Sequence, residues 1–148
     1  MPGAKLTEGE YVLVCDGAKA LILENIGDAK FPNLKTLEVR SQPDAATRDL
    51  GAERPGRVHE STGSSHSSVE QTDWHDIAER DFLIGLCSEI AALVQHGKIK
   101  ALTIAAPPRA LGMLRAHYTQ ALRNVLSREV PHDYTRMPVH EIEKALTA

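Results

Sequence analysis

A strand that runs directly into a helix is the feature that most constrains how this chain folds. Residues 99–106 are mostly apolar, and Pro107 and Pro108 then stop the strand. Proline suits the first turn of a helix, because the amide hydrogen that it lacks would have no partner there. The sequence therefore predicts a strand-to-helix junction at 105–115, the type of position where open α/β sheets bind ligands.

A dipeptide typical of hairpin turns, Asp16-Gly17, separates two short apolar runs. Residues 10–15 and 20–23 therefore predict an antiparallel β-hairpin. A third strand is predicted over residues 34–39, after a connection that contains glycine, aspartate and proline. Three leading strands in this arrangement indicate an antiparallel meander at the start of the fold.

Apolar residues recur at helical spacing after Trp74, which predicts the first helix of the chain. Thr72 or Asp73 is the expected N-cap, because its side chain can accept amide hydrogens of the first turn. Gly97 is the expected end of this helix, where a left-handed backbone conformation is common.

The last part of the chain predicts further elements beyond the junction. The sequence up to Glu129 is helical or extended in character, and an edge strand is expected within 125–133, because Pro131 cannot donate to a ladder. Residues 138–146 predict a terminal helix. The order β-β-β-α-β-α-β-α indicates a single α/β domain over 1–148, with helices packed against one mixed sheet.

A polar stretch with no sheet or helix period covers residues 42–72, far longer than the usual connection of about 4–6 residues. It contains Arg48, Arg54 and Arg57, and Gly56 allows its backbone to approach a ligand closely. Arginine binds phosphate or carboxylate through two parallel hydrogen bonds. We therefore predict that this loop recognises an anion.

Alternatives stay open for this stretch and for the start of the helix. Asp49 and Glu53 offer to neutralise the arginines of a solvated loop. Trp74 is expected either to clamp the base of the loop onto the core or to serve as a stacking platform for a nucleobase. The serines lack the G-x-S-x-G pattern of a nucleophile elbow, so no catalytic residue is assigned.

The strand-to-helix junction contributes a second set of candidate binding residues. Arg109 and Arg115 are expected near its mouth. Gly112 is expected to mark a close approach between the helix and a neighbouring element. Together with the loop arginines, these residues predict a site at one sheet edge that binds an anionic partner.

Composition and charge limit the function classes. A formal net charge of −3 argues against non-specific binding of nucleic acid, which needs a basic face. Histidines and cysteines do not have the spacing of a metal site, and we predict neither a metal nor another cofactor. Cys15 and Cys87 lie in apolar runs, so buried reduced thiols are expected. The sequence has neither a signal peptide nor an apolar run of about 18 residues, which predicts a cytoplasmic protein without membrane contact.

The order of elements also invites comparison with ribonuclease-H-like nucleases. Two-metal hydrolysis needs several carboxylates that converge from strand ends. Asp16 follows the first strand, but Ala105, Ala106 and Pro107 end the later one. We therefore predict no nuclease activity.

A family resemblance rests on four motifs: VLVCDGAKALILEN at 12–25, TRDLGAERPGR at 47–57, SSVEQTDWH at 67–75 and APPRALGMLR at 106–115. With these motifs the chain resembles the bacterial host attachment proteins, described as required for attachment to host cells. That group is also placed with bacterial and archaeal relatives of the eukaryotic release factor. The resemblance implies the fold of the release factor's middle domain.

The resemblance leaves two functions open. One is a non-enzymatic binding domain whose arginines contact an anionic partner. The other is a ribosome- or RNA-associated protein that inserts the loop at 42–72 into an RNA site. The release factor carries a Gly-Gly-Gln motif in the equivalent loop, but here Gly63 precedes Ser64 and Gln71 follows Glu70. Peptidyl-tRNA hydrolysis by that mechanism is therefore not supported.

Overall fold

A five-stranded mixed sheet with helices on both faces forms the protein, which confirms the predicted mixed α/β fold. The computed structural model describes residues 6–42 and 64–148, with side chains of the second segment from residue 74 onward. The elements are β1 (Tyr11–Cys15), β2 (Lys19–Asn25), β3 (Leu34–Ser41), α1 (Ser64–Gln95), β4 (Leu102–Ala105), α2 (Pro108–Arg115), α3 (Gln120–Val125), β5 (Leu126–Val130) and α4 (Val139–Thr147).

Strand order in the sheet is β3-β2-β1-β4-β5. The first three strands pair antiparallel, whereas β4 runs parallel to both β1 and β5. The predicted meander and the edge position of the last strand are thus confirmed. Because β1, β4 and β5 run in the same direction, their carboxyl ends meet at one edge of the sheet.

The two faces of the sheet are covered unequally. The long helix α1, with α2 and α3, buries one face in the larger apolar cluster, whose members include Leu13, Ile22, Leu83, Ile90 and Ile104. The short helix α4 covers the other face through Ile142 and Leu146, which pack with Val12, Val14, Leu23 and Leu34. Burial of apolar area on both faces holds the layers together.

Local signals set several element boundaries as predicted. The carboxylate oxygen Oδ1 of Asp16 accepts the amide hydrogens of Ala18 and Lys19 at 2.8 Å, which fixes the β1–β2 turn. Gly97 follows α1 with a φ of 78°, in the left-handed region that favours glycine. Pro108 occupies the first turn of α2, where the missing amide hydrogen costs nothing.

The expected length of the loop and the expected N-cap of the first helix are both wrong. Helix α1 begins at Ser64, so the predicted loop at 42–72 ends earlier, and neither Thr72 nor Asp73 caps the helix. Helix propagation from a packed segment is favourable, so a polar run such as 64–73 joins a helix that its sequence alone does not nucleate. The additional helix α3 precedes β5, where Thr119 accepts the amide hydrogen of Leu122 and caps it.

Other expectations concern the thiols and the membrane. Cys15 and Cys87 are buried and unbridged, as predicted. Burial, followed by the nearby negative charges of Asp16 and Asp133, raises the pKa of Cys15 to about 12. Among the helices in the described residues, none has both the length and the apolar character that a membrane span requires.

Candidate functional site

A cavity of about 290 Å³ lies where the carboxyl ends of β1 and β4 meet. The β1–β2 turn forms one wall, the start of α2 forms the second, and α1 contributes Glu79. Its lining residues are Asp16, Gly17, Ala18, Glu79, Pro107, Arg109 and Ala110. This edge is the position where α/β sheets bind ligands, so the cavity is the candidate site.

Arg109 brings a positive charge to this cavity. Its Nη2 donates to Oδ1 of Asp76 at 2.7 Å and lies 3.6 Å from Oε1 of Glu79, both on α1. The hydrogen bond to Asp76, followed by the charge of Glu79, raises the pKa of Arg109. The side chain is nevertheless 59% exposed, and its Nε and Nη1 have no acceptor within the described part of the chain. Donors therefore remain for a ligand.

Close packing between Gly17 and Glu79 shapes the wall of the cavity. A Cβ atom at Gly17 would lie 2.0 Å from Cγ of Glu79, so a larger residue would push the Glu79 side chain aside. The turn itself is held by Gln42, whose backbone amide donates to the carbonyl of Ala18 at 2.7 Å and whose Nε2 donates to that of Gly17 at 2.9 Å. Because Gln42 fixes the turn and Glu79 packs against it, the Glu79 carboxylate is held beside Arg109.

Asp16 has both carboxylate oxygens engaged. Besides the turn amides on Oδ1, its Oδ2 lies 3.3 Å from the hydroxyl of Thr135. Thr135 is buried, and its hydroxyl also lies 2.6 Å from Oδ1 of Asp133. These bonds give Asp16 a structural role at the edge of the cavity.

Arg115, at the other end of α2, contacts different residues. Its Nε donates to Oε1 of Glu129 on β5 at 3.0 Å, and its Nη2 donates to the same carboxylate at 2.8 Å. The hydroxyl of Tyr118 donates to Oε2 of Glu129 at 2.6 Å. Arg115 therefore ties α2 to β5, and it does not line the cavity.

The structure separates the two predicted junction arginines. Six residues apart, they are separated by about 120° around the helix axis, and they contact α1 and β5 respectively. Arg48, Arg54, Gly56 and Arg57, together with the alternatives that involved Asp49 and Glu53, lie outside the described residues.

The other two predicted residues of the described chain lie on helix surfaces. Trp74 is exposed on α1, and the loop that it was expected to clamp lies outside the described residues. Gly112 is exposed, and a Cβ atom there would meet nothing within 4 Å, so the expected close approach is wrong. A glycine one turn into a helix carries no packing signal by itself.

The acidic residues that pair with the arginines at both ends of α2 were not predicted from the sequence. Asp76 and Glu79 pair with an arginine that follows them by about thirty residues, and Glu129 pairs with one that precedes it by 14. Asp76 and Glu79 lie on a helix, where exposed acidic residues are common, and Glu129 is a single acidic residue on an edge strand, so no pattern marks these three. Within the part of the chain that the structure describes, no group of three or more histidine, cysteine or acidic side chains is arranged to hold a metal ion.

One comparison with known proteins covers nearly the whole chain. No curated protein matches the chain. The family model described as "Protein required for attachment to host cells" matches residues 11–146, from the first strand to the last helix. The cavity and both arginines of α2 lie inside the matched region, and the chain therefore belongs to the host attachment family.

Proposed function

We propose that this host attachment family protein is a non-enzymatic binding domain, and that Arg109 takes an anionic group of its partner. The observation that carries the proposal is the position of Arg109. Its guanidinium borders a cavity at the carboxyl edge of the sheet, anchored by Asp76 through one nitrogen only. An arginine oriented in this way can present its remaining donors to a phosphate or a carboxylate.

The acidic side chains of the cavity restrict which anion fits. Glu79 lies 3.6 Å from the same guanidinium, and Asp16 lines the opposite wall. An anion without other polar groups would be repelled by these carboxylates. The ligand class favoured by this arrangement therefore carries an anionic group for Arg109 and a hydroxyl or amino donor for Glu79.

The remaining predicted binding residues belong to this proposal as well. Arg48, Arg54 and Arg57, with Gly56, would extend the cationic surface that meets the anionic partner. Trp74 is exposed on the same helix as Asp76 and Glu79, but about 140–160° from them around its axis, so it would contact only a partner that also wraps around α1. Arg115 and Gly112 would contribute only if the partner spans the length of α2.

The experiment measures binding of phosphoserine, which combines an anion with an amino donor, by isothermal titration calorimetry. We expect Arg109→Ala to weaken binding at least tenfold, while the unfolding temperature stays nearly unchanged. Arg80→Ala is the matched control, because Arg80 is an exposed arginine on α1 that does not line the cavity. Equal affinity of Arg109→Ala and the wild type, or unfolding of the variant, would contradict the proposal.

The release-factor-like alternative rests on the resemblance of the sequence, and no translation-related protein is among the matches. It predicts that the protein co-sediments with ribosomes at low salt, and that this association weakens steeply as salt rises, because phosphate contacts release counterions. Failure to co-sediment at low salt would rule out the RNA-associated function and leave the binding domain as the function of this fold.

A further inference from the structure

The edge strand β3 presents apolar side chains and an unpaired backbone. It is the terminal strand of the sheet, and no strand within the described residues pairs with its outer side. Leu37 is 40% exposed and Val39 is 53% exposed, although both lie within a strand of eight residues. The β2–β3 ladder has a bulge at Leu37 and is regular from Glu38 to Ser41. The exposed edge of such a regular segment is a template for pairing with another strand.

The direction of the backbone groups on β3 follows from one hydrogen bond. The amide of Gln42 donates to the carbonyl of Ala18, and the register of β2 with β3 places these residues opposite each other. Hydrogen-bonded and non-hydrogen-bonded pairs alternate along an antiparallel ladder. The N–H and C=O groups of Ser41 and Val39 therefore point away from β2, toward the open side.

A groove of about 270 Å³ lies between β3 and α1, beside this edge. Phe82 and Leu86 form its apolar floor, and Arg40 borders it while donating to Glu89 on α1. Gly85 lines the groove in the interior of α1, where a Cβ atom would meet nothing within 4 Å. Glycine destabilises a helix relative to alanine, and nothing within the described structure requires it here.

We propose that two copies of this chain pair through their β3 strands, antiparallel, to form one continuous ten-stranded sheet. Glu38 and Arg40, which pair with each other on their own strand, favour one register by charge. With Val39 opposite Val39 of the second copy, Glu38 faces Arg40 of that copy, and the reverse contact is identical. A register centred on Glu38 or on Arg40 would instead place like charges directly opposite each other, which is unfavourable.

Two further features agree with this register. The outward N–H and C=O groups of Val39 would bond to those of Val39 in the second copy. Leu37, the residue at the bulge of β3, would lie opposite Ser41, whose groups also point outward. The two-fold axis of this dimer runs between the two Val39 residues, normal to the sheet. The groove of one copy therefore lies next to the groove of the other. The two α1 helices then approach along the side that carries Gly85.

The first test is the oligomeric state of the full chain, measured by sedimentation equilibrium across micromolar concentrations. We expect a dimer for the wild type, and at least a tenfold weaker association for Val39→Lys, because two ammonium groups would face each other across the new ladder. Ile26→Lys is the matched control, since Ile26 is also 53% exposed and lies outside β3. A monomeric wild type, or a Val39→Lys variant that stays dimeric, would overturn the proposal.

The second test examines the register. Glu38→Arg alone places arginine opposite arginine, and Arg40→Glu alone places glutamate opposite glutamate, so we expect each folded variant to be monomeric. Mixed together, they restore two oppositely charged pairs in a heterodimer, which sedimentation would detect. Circular dichroism confirms that each variant is folded. A mixture of folded variants that stays monomeric, or either variant alone forming the wild-type dimer, would rule out this register.

Discussion

The two ends of helix α2 carry arginines that look alike in sequence and differ in structure. Arg109 and Arg115 are similarly exposed, at 59% and 54%, and a carboxylate raises the pKa of each. Arg115 binds Glu129 through two nitrogens, and this glutamate is only 21% exposed. Arg109 binds the more exposed Asp76 through one nitrogen, beside a cavity.

This difference separates an arginine that is bonded within the domain from the arginine that we propose for the partner. The Glu129 carboxylate also accepts the hydroxyl hydrogen of Tyr118, so its oxygens bond to two side chains within the domain. At the Arg109 end, the guanidinium keeps donors that no described residue accepts. Exposure of the arginine does not distinguish the two, whereas the burial and the other partners of its carboxylate do.

The largest expected effect comes from removing the carboxylate at the Arg115 end. Glu129→Ala leaves the partly buried hydroxyl of Tyr118 without its acceptor, which should lower the free energy of unfolding by about 1–2 kcal/mol. The exposed ion pair with Arg115 adds little, because solvent screens it. Urea denaturation of Glu129→Ala and Asp76→Ala measures the contrast. A loss in Asp76→Ala as large as that in Glu129→Ala would remove the distinction between the two ends.

A smaller effect of opposite sign is expected midway between the two arginines. Gly112→Ala should raise the free energy of unfolding by about 0.5–1 kcal/mol, because alanine favours the helix and its methyl group enters open space. Thermal unfolding of this variant measures the gain. Destabilisation instead would mean that a neighbour needs the space at Gly112. If the variant were stabilised but bound phosphoserine more weakly, the partner would extend from Arg109 along α2.

Local sequence signals predicted the frame that carries these residues. Asp16-Gly17 marked the hairpin, Gly97 marked the end of α1, and Pro107 with Pro108 marked the start of α2, since each imposes its own backbone preference. The start of α1 was missed, because the polar residues from Ser64 onward have no helical period and join the helix by propagation from its packed part.

The site was predictable only in part, for a different physical reason. The position of Arg109 at the end of a parallel strand follows from the order of elements. Its pairing with Asp76 depends on how α1 lies across the sheet, which joins residues 33 positions apart. Tertiary packing decides such contacts, and neither spacing nor composition encodes them locally.

The smallest expected effect is a pH dependence that belongs to the Arg115 end. The hydrogen bond from Arg115, more than that from Tyr118, lowers the pKa of Glu129 below its ordinary value of 4.5. A carboxyl whose pKa is lower in the folded state stabilises the fold above its unfolded pKa, and this stability is lost as the pH falls through the folded pKa. Urea midpoints measured from about pH 6 to pH 3 should therefore decline less in Glu129→Gln than in the wild type, and also less in Arg115→Ala, where the main cause of the shift is gone. An equal decline in all three proteins would show that Glu129 is not stabilised by Arg115, and the two ends of α2 would then be alike.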